Sequence, residues 1–261
     1  MLYQAFQEHP EIGMAKNIKE TNFFNNEYHR GIDWYRSFFE HCEGKRAIGE
    51  VSNTYVYNPK VPARIARFLP DVQLITVLRN PFDRIRSAYL FRQRSGEIDS
   101  QLSFEEAIQQ HPDLIKDNYY GDQLGWYLNL FPRENLMIAF FDDLKKDPAW
   151  FIRDIFAFIG VNADFEPTVI YERVNRAAEV RHPILASLIR FGANRLRQWQ
   201  CYAWLGHAKN SETLRKLFFK PVSLNRVNYS KEVRALLEEH FVPHIQKVEK
   251  IANRSLVHWY T

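Results

Sequence analysis

The 261-residue chain predicts an α/β domain in which short parallel strands are buried between helices. Residues 74–78, Leu-Ile-Thr-Val-Leu, form an uninterrupted apolar and β-branched run, the pattern of a strand covered on both faces. Amphipathic helical patterns alternate with such runs along the chain, the order that builds a parallel sheet. No internal repeat, low-complexity tract or Gly/Ser/Pro-rich linker interrupts the alternation, so residues 1–261 read as one domain.

The individual elements follow in order. Leu2 and Phe6 at helical spacing, then His9-Pro10, predict a short helix that stops at the proline. Residues 47–52, Ala-Ile-Gly-Glu-Val-Ser, predict a strand, and residues 136–141, Leu-Met-Ile-Ala-Phe-Phe, predict another. Ser103 and Glu106 have the spacing of a capping box. Asp147-Pro148 opens a helix that Gly160 closes, with Trp150, Phe151, Ile155, Phe158 and Ile159 as its apolar face. Val233, Leu236, Leu237, Phe241, Val248 and Ile251 mark the stripe of a last helix; such stripes are packing surfaces and say nothing of function.

Composition narrows the function classes. Hydrophobic residues at 46% and charged residues at 25% match a soluble globular chain and exclude disorder. A net charge of +4 suits anionic ligands but is too small to argue for nucleic acid, and no nucleic-acid-binding motif accompanies it. Cys42 and Cys201 stand alone and far apart, which excludes a disulfide framework and a CxxC metal site and makes a reducing, cytoplasmic location the expectation. No apolar run approaches the ~20 residues that span a bilayer, and residues 1–10 lack the pattern of a signal peptide. His9, His29, His41, His111, His182 and His207 show no metal-ligand spacing, so no metal is expected.

Residues 74–89, LITVLRNPFDRIRSAY, are the informative segment. The strand ends at Arg79, and a helix begins at once with Asn80 as N-cap and Pro81 at its first position. That turn lies at the carboxyl edge of a parallel sheet, where α/β folds bind ligands, and the helix start offers N–H groups to an anion. A guanidinium holds phosphate through a planar fork of donors, and Ser87, about two turns on, adds a hydroxyl. An ion pair between Arg79 and Asp83 accounts for the same spacing, and spacing alone does not choose between the two.

The segment RNPFDRIRSAY resembles the 3'-phosphate-binding motif RNPxxRxxSxY of sulfotransferases that use 3'-phosphoadenosine 5'-phosphosulfate (PAPS). The resemblance implies a P-loop-NTPase-like three-layer sandwich, PAPS as co-substrate and no metal. It also implies that Arg79 and Ser87 bind the 3'-phosphate while Arg84 and Tyr89 support the helix. KETNFFNNEYHRGIDWYRSFF, residues 19–39, resembles the segment in which heparan-type and bacterial sulfotransferases place a catalytic carboxylate, and Glu20 is the matching position. Glu50-Val51-Ser52-Asn53-Thr54-Tyr55 resembles the strand and loop that follow. YYGDQLGWYLNLFPRENLMIAFFDDLKKDP, residues 119–148, resembles the family's later helix, strand and helix start. Residues 174–181 lie where related enzymes carry a mobile loop over the donor, which implies contact of Arg176 or Arg181 with its phosphates.

One departure bears on activity. The family opens with a strand, a Gly- and Thr-rich loop and a helix start that bind the 5'-phosphosulfate, and residues 2–10 match only the end of that helix. Neither G-x-x-x-x-G-K-[ST] nor G-x-G-x-x-G occurs in the chain. The expectation is an N-terminally incomplete sulfotransferase domain, active where the loop is supplied upstream; the alternative is an inactive relative that keeps part of a nucleotide site. The expected reaction is in-line displacement at sulfur by a hydroxyl or amine, with Glu20 as general base. An exposed carboxylate is a weak base at neutral pH, so that role asks for partial burial; an ion pair with Lys19 is the other reading of Glu20. The acceptor is left open among small molecules, glycans and lipids. Residues 182–220 interleave Arg190, Arg195, Arg197, Lys209, Arg215, Lys216 and Lys220 with aromatic residues. They read as a helical lid with solvated charges, or else as a surface for an anionic acceptor or for peripheral membrane contact.

Overall fold

A computed structural model describes residues 1–171, 178–180, 219–221 and 229–260. In chain order they form α1 (Leu2–Glu8), β1 (Ile12–Met14), α2 (Ile32–Arg36), β2 (Ala47–Gly49), α3 (Val61–Phe68), β3 (Leu74–Leu78), α4 (Pro81–Ser95), α5 (Phe104–Gln110), α6 (Asp113–Lys116), α7 (Tyr120–Leu128), β4 (Leu136–Phe140), α8 (Phe141–Lys146), α9 (Pro148–Phe158), β5 (Ala178–Val180), β6 (Phe219–Pro221) and α10 (Lys231–Ala252). The protein is α/β: β1 pairs with β2 and β3 with β4, both parallel, and β5 pairs with β6 antiparallel. Arg176 and residues 182–218 lie outside the described residues.

The chain divides into two compact units. The first, Met1–Arg79 with Asp122–Val174, holds the parallel pairs. In it, β3 and β4 run in register from Leu74 opposite Leu136 to Leu78 opposite Phe140. Its core gathers Phe6 of α1, Ile12 and Met14 of β1, Ala139 of β4 and Phe151, Ile152, Ile155 and Phe156 of α9. Asp147 starts α9 by accepting the Trp150 N–H at 2.9 Å, and Gly160 leaves it at φ +74°, a region open to glycine at no steric cost. His9, 1% exposed, belongs to this packing: it accepts the Glu11 N–H on Nδ1 at 3.1 Å, so Nε2 donates to the Asn162 carbonyl at 3.0 Å.

The second unit, Asn80–Gly121 with Asn175–Thr261, is built on α4 and α10. Asn80 caps α4 by accepting the Phe82 N–H at 3.0 Å, with Pro81 at the first helical position. Phe82 meets the Phe241 ring of α10 edge-on at 5.2 Å, and the Arg234 guanidinium lies 3.8 Å from its centroid. Arg84 donates to Asn118 Oδ1 at 2.9 Å and Tyr89 donates to the Leu102 carbonyl at 2.8 Å, so both side chains brace this unit. Ser103 and Glu106 form the capping box that their spacing predicts.

The structure departs from the sequence reading at several positions, among them the strand expected over residues 47–52, which stops at Gly49. β1 has no clear signal, because it is three residues long with Gly13 at its centre. Trp150 in α9 is 54% exposed and Leu236 in α10 is 40% exposed, although each falls on an apolar stripe. Periodicity marks the direction of a side chain and not the reach of the neighbours that would cover it.

Burial sorts the aromatic residues of α9 by energetic weight. Phe156→Ala empties a fully buried site and is expected to cost about 3–5 kcal/mol, whereas Trp150→Ala is expected to stay within about 0.5 kcal/mol. Urea unfolding of both variants checks the pair; equal losses would contradict the packing described.

Candidate active site

The loops that follow β1 and β2 meet within the first unit. After β1 the chain passes through Asn17 at φ +62°, reaches Glu20, and turns at Asn22, φ +54°. Asparagine tolerates this left-handed region better than other side chains. The Asn22 carbonyl accepts the N–H groups of Asn25, Asn26 and Glu27 at 3.0–3.2 Å, which closes the turn. Phe23 and Phe24 anchor it from below, at 0% and 2% exposure, with Phe23 stacked on Tyr35 at 4.8 Å.

A carboxylate from the second loop holds this turn. Glu50 follows β2 directly, and its Oε2 accepts the Thr21 N–H at 3.1 Å and the Thr21 hydroxyl at 2.7 Å. Its Oε1 accepts the Tyr55 hydroxyl at 2.7 Å. Burial pushes the Glu50 carboxyl above the ordinary carboxylate range, and the bonds from Thr21, Tyr55 and Tyr35 pull part of the way back. The Tyr35 and Tyr55 phenols are driven well above their usual range, by burial first and by the Glu50 charge second. The sequence places Glu50 only within a strand and loop; a charged residue directly after an apolar strand is the available signal of its role.

Glu20, the sequence-predicted carboxylate, sits beside this network. Its Oε1 accepts the Asn53 side-chain amide at 2.9 Å, and its Oε2 accepts the Asn53 backbone N–H at 3.4 Å. Lys19 Nζ lies 3.7 Å from Oε1, with side-chain exposures of 45% for Lys19 and 24% for Glu20. An ion pair open to solvent this way contributes little, so Asn53 is the stronger partner. A carboxylate has about four acceptor positions, and the two Asn53 donors leave room on Glu20 for a further proton donor. Glu50, half-buried like Glu20, takes donors from Thr21, Tyr55 and Tyr35 that fill its acceptor positions.

The other predicted residues belong to other elements. Arg79 follows β3, and its guanidinium carbon is 5.3 Å from the centroid of Phe141, which follows β4. Ser87 is half-buried on α4, in the second unit. A cavity of about 260 Å³ at the end of β1 is lined by Gly13, Met14, Lys16, His41, Cys42 and Lys45 among others. Its Lys45 ammonium is tied to the Pro10 carbonyl at 2.6 Å, and Cys42 Sγ donates to the Met14 carbonyl at 3.6 Å. Among the described residues no group of histidine, cysteine and acidic side chains is arranged to hold a metal ion.

Comparison with known proteins adds the family. The model of the sulfotransferase domain matches residues 1–181. The chain is 33% identical over 180 residues to the human bifunctional heparan sulfate N-deacetylase/N-sulfotransferase 3, a match that covers 61% of this chain and 20% of that protein. It is 34% identical over 124 residues to the membrane-associated sulfotransferase kil1 of Dictyostelium discoideum, covering 45% of this chain and 26% of that one. The chain thus spans about a fifth of the length of the heparan sulfate enzymes it matches. The crystal structure of a sulfotransferase from Alicyclobacillus acidocaldarius superposes with a TM-score of 0.68 at 23% identity, over 100% of this chain and 93% of that one, and shares its fold.

These relatives correct the expected cytoplasmic location. Similarity to heparan sulfate enzymes and to a protein named as membrane-associated points away from it. The expectation rested on two lone cysteines and the lack of an apolar span, features that several compartments permit. No described helix is long and apolar enough to cross a membrane.

The buried Glu50 carboxyl has a consequence for stability. Because its folded-state proton affinity is raised, the folded protein binds more protons than the unfolded chain just above pH 4.5, and stability falls as pH rises through that window. Glu50→Gln lacks this titration. Wild type is therefore expected to gain stability relative to Glu50→Gln as pH is lowered from about 7 to about 4.5, measured as the difference in unfolding free energy; a flat or opposite trend would count against the assignment.

Proposed function

The chain belongs to the sulfotransferase domain family, and from that membership we propose that it transfers a sulfuryl group from PAPS to a hydroxyl or amine, with Glu20 as the general base. The observation that carries this reading is a Glu20 carboxylate that is held by Asn53 yet keeps acceptor capacity. Residues 1–261 are taken to act as one catalytic domain, with a glycan as the acceptor class on the strength of the heparan sulfate relatives.

The donor supplies an activated sulfur whose leaving group is adenosine 3',5'-bisphosphate. As the acceptor oxygen or nitrogen forms its bond to sulfur, the bond from sulfur to the 5'-phosphate oxygen breaks, and the acceptor proton passes to Glu20. Two features of Glu20 suit it to receive that proton. Its side chain is three-quarters shielded from water, and its orientation is fixed before the acceptor arrives. Arg79 and Ser87 are assigned to the donor's 3'-phosphate, the first through its planar fork and the second through its hydroxyl. Arg176 is assigned to the donor's phosphates as well. These three assignments rest on the motif and its surroundings in the sequence.

Transfer of radiolabelled sulfate from PAPS to a heparan-type glycan bearing free amines and hydroxyls tests the reaction. Glu20→Gln is expected to lower kcat by about 10²-fold or more with donor affinity nearly intact; a matching loss of donor binding would contradict the base assignment.

Arg79→Ala and Ser87→Ala are each expected to weaken adenosine 3',5'-bisphosphate binding by about 10-fold or more, as lost bonds to a charged ligand do. Titration calorimetry reads the affinity, and undiminished binding in the double variant would remove the nucleotide assignment.

A further inference from the structure

The Glu20 carboxylate receives two hydrogen bonds from Asn53, one from the side-chain amide at 2.9 Å and one from the backbone N–H at 3.4 Å. Both partners are braced by the same buried group. Glu50 binds the N–H and hydroxyl of Thr21, the neighbour of Glu20, and also the hydroxyl of Tyr55, two residues beyond Asn53. The path from Glu20 to Thr21, Glu50, Tyr55, Thr54, Asn53 and back to Glu20 is therefore a closed ring of covalent and hydrogen bonds. Outside the ring, the Thr54 hydroxyl reaches Asn22 Oδ1 at 3.4 Å, and the Tyr55 carbonyl accepts the Tyr127 hydroxyl at 3.0 Å.

We infer that Asn53 is a positioning residue for the general base, setting the plane and direction of the Glu20 carboxylate. The inference rests on the reading of Glu20 as the base. A glutamate side chain turns about three bonds, and restricting them costs rotamer entropy. Asn53 meets that cost in advance with donors that face two different oxygens, so the carboxylate cannot rotate without breaking one bond. Lys19 does not substitute, because its ammonium stands 3.7 Å from Oε1 on a side chain open to solvent. The backbone N–H survives any substitution at position 53. The side-chain amide is the part that a variant removes.

The test is a kinetic cycle on the full chain, with the phosphosulfate loop supplied upstream and with PAPS and the heparan-type glycan as substrates. Asn53→Ala is expected to lower kcat about 10-fold and to leave the donor KM within about twofold. Asn53→Ser, which keeps a short donor, is expected to recover part of that loss. In a Glu20→Gln background Asn53→Ala is expected to change kcat by less than about twofold, because its effect runs through the carboxylate that is already gone. An unchanged kcat in Asn53→Ala, or the same loss in both backgrounds, overturns the inference; the second result marks a merely structural role, which thermal unfolding would register as a lowered Tm. Should Asn53→Ala fail to fold, Asn53→Asp takes its place: it keeps the shape, replaces the donor by a charge like that of Glu20, and is expected to lower kcat at least as far. Full activity in Glu20→Gln sinks the base reading itself. A dead Glu20→Gln beside a fully active Asn53→Ala sinks only the role of Asn53, and a wild-type chain that shows no transfer with the phosphosulfate loop supplied upstream counts against both.

Discussion

A carboxylate taken out of water costs several kcal/mol unless its lone pairs are filled, and the Glu50 carboxylate is the fixture on which the rest of the site region depends. Its partners come from both directions along the chain: Thr21, 29 residues before it, and Tyr55, five residues after. One buried charge therefore ties the loop after β1 to the turn after β2. The parallel pairing of those strands, with Ile12 opposite Ala47 and Met14 opposite Gly49, sends both loops out from the same edge. Sheet geometry delivers the two segments to one place, and the carboxylate then fixes them there.

Glu20 and Glu50 show how two identical side chains acquire opposite properties. Glu50 takes its bonds from hydroxyls and a backbone amide and keeps little acceptor capacity, which suits it to structure. Glu20 accepts from Asn53, with Lys19 3.7 Å away, and keeps acceptor capacity. Saturation distinguishes the two. A raised proton affinity on a fully bonded carboxyl is a sign of burial, and it makes Glu50 no better a catalyst.

Local chemistry was legible in the sequence wherever it closes within a few residues. The Asn80-Pro81 start of α4, the Ser103 and Glu106 box and the Asp147-Pro148 start of α9 all use a side chain to satisfy backbone N–H groups two or three positions on. The long apolar runs of β3 and β4 were legible for the same reason. β1 was not: its central Gly13 dilutes the pattern, and the need for glycine there is tertiary, since a Cβ would lie 2.5 Å from Cys42 Cβ. The role of Glu50 was hidden as well. A glutamate in a sequence reads as surface, and only the distant Thr21 and Tyr55 hydroxyls show that this one is internal. Glu20 was named by resemblance, whereas its partner Asn53 is visible only in three dimensions.

The surroundings of Arg79 follow from the strand pairing before it. β3 and β4 end in register, with Leu78 opposite Phe140, so the residues that follow them, Arg79 and Phe141, emerge side by side at the carboxyl edge. The guanidinium carbon rests 5.3 Å from the Phe141 ring centroid, within the range of a cation–π contact. A guanidinium set face-on against a ring leaves the N–H groups along its edge for an anion. The two contacts do not compete. A ring that fixes the plane of such a fork also fixes the direction in which its donors point. Lysine, a point charge without a plane, would gain no such orientation from Phe141, which is a physical reason for arginine at this strand end.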